Sequence, residues 1–166
     1  MKLFVLLTRL LLGGLFVGHG TQKLLGWFGG HGLDGTAGFF ESLGLRPGRQ
    51  HAIMAGATET GGGVLLALGL ATPAGAAAIT GVMTTAIRTV HAPNGPWVTD
   101  GGWEYPAVII ATAALITEVG PGPVSLDAAR GSERSGTGWA LAALAAGGAM
   151  SAVLLRDWER PAPQGA

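Results

Sequence analysis

The chain has 166 residues, a mean hydropathy of +0.43 and only 12% charged side chains, a balance that excludes an ordinary soluble domain and predicts lipid as its solvent. Its net charge is zero and no Lys/Arg cluster forms a phosphate-binding stripe, which argues against nucleic acid as a partner. With no cysteine, dithiol chemistry, thiolate-held iron–sulfur clusters and disulfides within the chain are excluded, so any redox role has to use a borrowed group.

Five segments approach the roughly 20 apolar residues that a helix needs to cross a bilayer. The first spans residues 3–28. Arg9 interrupts its apolar run and no A-x-A-like cleavage site follows, so it is read as a retained helix and not as a secretory signal. Gly14 and Gly18 give it a small-xxx-small face suited to close helix contact. Between residues 29 and 50, Phe39, Phe40 and Leu43 lie beside Glu41 and Arg46, the pattern of a short interfacial helix.

The second segment spans 52–70, and Gly61, Gly62 and Gly63 mark either tight packing or a kink. Thr72 is an N-cap candidate and Pro73 a first helical residue, so the third segment, 74–91, follows after a very short turn. Pro93, Asn94, Gly95 and Pro96 end it. The fourth segment runs over 104–119 and stops at Gly120-Pro121-Gly122-Pro123. A polar stretch around 125–138, with Asp127, Arg130, Glu133 and Arg134, reads as a solvated loop. The fifth segment, 139–155, is bounded by Trp139 and by Arg156-Asp157-Trp158 as at a membrane interface. No internal repeat is visible.

The predicted fold is therefore all-α: a transmembrane bundle with a four-helix core over 1–127, a polar loop over 128–138, an additional C-terminal transmembrane helix over 139–155 and a polar tail over 156–166. Lys/Arg counts on the two sides are close, Lys2, Arg130 and Arg134 against Arg46, Arg49, Arg156 and Arg160. The loop 93–103 has no Lys or Arg, which favours the outer side for that loop and a cytoplasmic N-terminus.

Helix order alone puts the end of segment one, the start of two, the end of three and the start of four on one membrane face. His19, Gln22 and Lys23 fall at i, i+3 and i+4 of segment one, on one side of its last turns. Glu59 sits about seven residues into segment two, roughly 10 Å deep at 1.5 Å per residue. Arg88 and His91 follow Thr84 at helical spacing in segment three, and Glu104 and Tyr105 open segment four. Ionisable groups inside a bilayer are costly unless paired, so a shared polar pocket is expected. Its skeleton is Glu59 paired with Arg88 or Lys23, and His19, His91 and Glu104 form the rim; the competing reading of Lys23, His91 and Glu104 is snorkelling into the headgroups. Arg9 and Glu118, near the opposite face, are candidates for a structural ion pair between segments one and four. No His/Glu spacing matches a metal site, and no nucleophile elbow or phosphate loop occurs.

Several stretches carry a resemblance: Arg9 to Gly20 with Lys23, Leu24 and Gly26; Glu59-Thr60-Gly61-Gly62; Val90-His91 with Asn94-Gly95; Gly101 to Pro106; and Gly120 to Asp127. In that order they resemble the DoxX family of small bacterial membrane proteins, over about residues 9–127. The resemblance implies a four-helix membrane bundle in the bacterial inner membrane. Some members are subunits of a thiosulfate:quinone oxidoreductase, and others belong to membrane oxidoreductase assemblies that handle oxidative or thiol stress. His19, Lys23, Glu59, His91, Glu104 and Tyr105 carry the family pattern as well as the convergence on one face.

The leading expectation is a multi-pass membrane subunit of an oxidoreductase complex, with no covalent cofactor, whose pocket takes a quinone or a small substrate. Its expected partners are the lipid bilayer and a soluble or membrane redox protein, and a homo-oligomer is compatible with the sequence. The rivals are a non-catalytic anchor or scaffold for a soluble partner and, third, a small transporter, for which repeat symmetry is missing.

Overall fold

Positive backbone φ sets the helix boundaries. Gly26 (φ +71°) breaks the first helix before a short turn at Trp27–Gly29, so that helix ends at Leu25 and not at Phe28. The computed structural model describes residues 3–161. Its elements are α1 (Leu3–Leu25), α2 (Gly32–Ser42), α3 (Gly48–Leu68), α4 (Thr72–Ala86), α5 (Glu104–Val119), α6 (Leu126–Ala129) and α7 (Thr137–Leu154), with a π turn at Ile87–His91 extending α4. Among the described residues there is no strand. α2 occupies the place expected of the interfacial helix, and α3 begins a full turn before residue 52.

α3 is the hub: it packs against α1, α2 and α4, and α4 in turn holds α5 and α7. The buried core joins Leu12 and Phe16 of α1, Leu66 of α3, Ile79 of α4 and Ile109 and Ile116 of α5. α1 and α7 are long and apolar enough to cross a membrane. Their outer faces expose Phe4, Leu7 and Leu11, and Leu141 and Val153.

The close approach of α1 to α3 does not use the expected glycines. Gly14 and Gly18 face open space, whereas a Cβ on Gly13 would stand 2.5 Å from the Gly63 carbonyl, and one on Gly20 would collide with Thr60. Adjacent glycines at 13 and 14 offer two faces about 100° apart, and packing selects the second-best spacing because Gly63 and Gly56 oppose it. The glycine triplet in α3 is packing and not a kink, since α3 is one unbroken helix. Gly63 abuts α1, Gly62 abuts Ala78 and Ile79 of α4, and Gly61 is open. Gly13→Ala is therefore expected to destabilise by about 1–3 kcal/mol through overpacking. Gly14→Ala should be neutral or stabilising by up to about 1 kcal/mol. Denaturant midpoints in detergent read both.

The α3–α4 turn is held from a distance. Gly69 is left-handed (φ +59°), and Ala71 adopts φ +45°, a conformation that alanine rarely takes. Thr72 does not cap its own helix. Instead Asp127 accepts from the backbone N–H groups of Ala71 (2.8 Å) and Thr72 (3.1 Å) and from the Thr72 hydroxyl (3.0 Å). Asp127 thus serves as the N-terminal cap of α4 from 55 residues away, with its charge at the favourable end of the helix dipole. It is buried, which corrects the expectation of a solvated loop at this point.

Candidate functional site

α1 turns His19 and Lys23 towards α3, and Glu59 answers from α3: Lys23 Nζ lies 2.7 Å from Glu59 Oε2. The carboxylate side chain is 4% exposed and the lysine 25%, so the acid is the more deeply sequestered partner. Next to this ion pair a cavity of about 390 Å³ opens between the helices. On α3 its wall is His51, Met54, Ala55, Thr58 and Glu59, spaced i, i+3, i+4, i+7 and i+8, one face of the helix. Phe39 and Phe40 of α2, with Leu43 and Leu45 after it, close it on one side. Val82 and Met83 of α4, Thr89 and His91 of the π turn, Tyr105 and Ile109 of α5, and Met150 and Leu154 of α7 complete it. The wall is mostly apolar, and its few polar groups are one acid, one amine, three imidazoles, a phenol and threonines.

The imidazoles are held differently. His91 Nδ1 sits 2.7 Å from the Gly101 carbonyl, which only accepts, so this nitrogen carries a proton and leaves Nε2 as the acceptor of the neutral ring. His19 Nδ1 lies 3.1 Å from Gln22 Oε1, while Gln22 donates to the Phe28 carbonyl (3.3 Å). Gln22 therefore props the ring from behind and does not itself line the cavity. The buried Nδ1 of His51 has no hydrogen-bond partner. Thr85 and Thr89, both in the wall, donate to carbonyls one turn back, so their hydroxyl protons are already engaged.

Three sequence expectations need correction. Arg88 does not pair with Glu59: its Nη1 donates to the Ser151 carbonyl of α7 (3.3 Å), and Lys23 takes the acid. Glu104 is not on the rim; its Oε1 accepts the Val98 N–H (2.8 Å) and fastens the loop before α5. Tyr105 does reach the cavity. Arg9 does not meet Glu118. Its Nη2 donates to the Val124 carbonyl (2.7 Å) and its electrostatic partner is Asp127, while exposed Glu118 accepts from Thr137 (2.7 Å). His51 was missed because it fell just outside the expected helix; the signal available was Pro47-Gly48, where a proline marks the earlier start.

A family model described as DoxX matches residues 4–92, more than half of the chain. His19, Lys23, His51, Glu59 and His91 all lie within the matched residues. No curated protein and no solved structure shows significant similarity to the chain.

Proposed function

The chain belongs to the DoxX family, a family of membrane proteins, and from that premise we propose that it is an integral membrane subunit of a quinone-linked oxidoreductase system whose cavity takes the quinone ring. In this reading α1, α3, α4 and α5 form a membrane-spanning core over residues 1–127, and α7 is a fifth span. The N-terminus then faces the cytoplasm of a bacterial cell. α3 is 21 residues long, about 31 Å at 1.5 Å per residue. The shorter α4 and α5 fit through local thinning of the bilayer or snorkelling at their ends.

The observation that carries the reading is the buried Lys23–Glu59 pair at the side of an otherwise apolar cavity. A flat ring with two carbonyl acceptors needs apolar walls and a few donors, and the residues present fit it. Lys23 supplies a charged donor, the orphaned His51 Nδ1 awaits a partner, and Phe39 and Phe40 offer aromatic surface. When bound, the quinone supplies two-electron, two-proton redox chemistry, with electrons delivered by a partner protein. Glu59 and the imidazoles of His19 and His91 hold and move protons between cavity and surface. His19 and His91 are each anchored through Nδ1, which leaves Nε2 for that exchange.

The test is binding. Protein extracted in detergent should carry a quinone detectable by solvent extraction and absorbance, and should bind a short-tailed ubiquinone analogue saturably. Glu59→Gln should accumulate normally in the membrane and bind that analogue at least about tenfold more weakly, the scale of one hydrogen bond to a charged group. Empty protein with no saturable binding favours the non-catalytic anchor.

A further inference from the structure

We propose that the residues after α7, 155–160, form a strap that holds the cavity mouth closed, so that the C-terminal part of the chain outside the family match is a working part of the site. The strap concerns the cavity already assigned, and its meaning for ligand binding rests on that reading; the closure itself does not.

α7 first brings the chain to the right end of the bundle. Met150 and Leu154 line the cavity, and the next residue, Leu155, is buried at 3% exposure, so the turn beyond the helix is anchored. From there the tail makes two bonds, one to each of two elements that contribute to the cavity wall. Trp158 Nε1–H donates to the carbonyl of Leu43 (2.8 Å), which is itself a wall residue. Arg160 Nη2 donates to the carbonyl of Arg88 (2.6 Å), in the π turn between the wall residues Ala86 and Thr89. The guanidinium of Arg160 lies 5.6 Å from the Trp158 ring centroid, which couples the two bonds into one unit.

Both acceptors lie where regular helix fails, one just past the end of α2 and one in the π turn, and carbonyls at such places are the ones left for outside donors. The tail also rests directly on the α2–α3 loop. A Cβ on Gly44 would come within 3.0 Å of the Glu159 carbonyl and 3.2 Å of the Pro161 ring. One short segment thus ties the end of α2 to the π turn that extends α4. It does so with few buried groups of its own, the signature of a unit that opens locally before the bundle does.

The absence of native cysteine provides a clean test. Ala55→Cys places one thiol in the cavity wall, and Gly14→Cys places one in open space on α1. In detergent-solubilised full-length protein, the maleimide labelling rate of the Ala55→Cys thiol is measured with the strap intact and with Trp158→Ala plus Arg160→Ala. Loss of the strap should speed labelling about tenfold, since a unit held by two hydrogen bonds opens that much more readily without them. The Gly14→Cys rate should not change. Should the double variant fail to accumulate, Trp158→Phe removes only the donor and should still speed labelling several-fold. Equal Ala55→Cys rates with and without the strap, in whichever of these variants accumulates, overturn the proposal. No quinone is needed for this measurement, so failure of the quinone reading leaves its result intact. Protection of the Ala55→Cys thiol by the ubiquinone analogue tests that other reading separately.

Discussion

Lys23→Met is expected to destabilise the protein by about 3–5 kcal/mol, because it leaves a buried carboxylate with no counter-charge. Glu59→Gln is expected to cost much less, about 1–2 kcal/mol, although it breaks the same contact. The asymmetry follows from exposure: the Glu59 side chain is 4% exposed and Lys23 25%, so a lysine without its partner can still turn its ammonium towards water, whereas the acid cannot. Combining Lys23→Met with Glu59→Gln should restore most of the loss, giving a coupling of about 2 kcal/mol or more in a double-mutant cycle. Equilibrium unfolding in mixed detergent, followed by tryptophan fluorescence, reads all four proteins. Equal, mild costs for the two single variants would mean that the pair is hydrated, and the cavity would lose its charged anchor.

That pair was legible in the sequence only as one of two alternatives. Helix order and the 3.6-residue repeat place Lys23, Glu59 and His91 near one end of the bundle, and the cavity gathers all three there. Arg88 was misjudged for a physical reason. It lies in a π turn, where each turn holds an extra residue and the side chains rotate away from the phase expected of an α-helix, here towards Ser151 of α7. No local pattern announces a π turn. The α1–α3 seam failed in a related way, since the two neighbouring glycines Gly13 and Gly14 are equivalent until a partner helix chooses between them. His51 was hidden by one turn of helix, a boundary error rather than an error of chemistry. The strap from Trp158 and Arg160 joins main-chain carbonyls 115 and 72 residues away, contacts that composition and periodicity cannot encode.

Asp127 was the least legible of the polar residues, and it carries the second large effect. Asp127→Ala removes three acceptor contacts at the start of α4 and strips Arg9, itself 1% exposed, of its charge partner. The expected loss is about 2–4 kcal/mol, combining a lost helix cap with an uncompensated buried cation. Ala71, held at φ +45° while its N–H binds the carboxylate, is then free to relax, so the α3–α4 turn should exchange its amide hydrogens first. The same residue predicts an acid limb. Burial alone favours the protonated acid, but hydrogen bonds from the Thr72 and Ala71 main chain, the Thr72 hydroxyl and Ser132 outweigh it and hold the carboxyl below its ordinary range. A carboxylate depressed in this way contributes stability that is complete above its unfolded value, about 3.9, and that disappears as pH falls through its lower native value. Wild-type unfolding free energy should therefore fall with pH in that acid window, and Asp127→Asn, which is less stable at neutral pH, should show a shallower fall there. Parallel acid limbs in the two proteins would mean that the carboxylate charge does not hold the turn, and would leave the conformation of Ala71 without its cause.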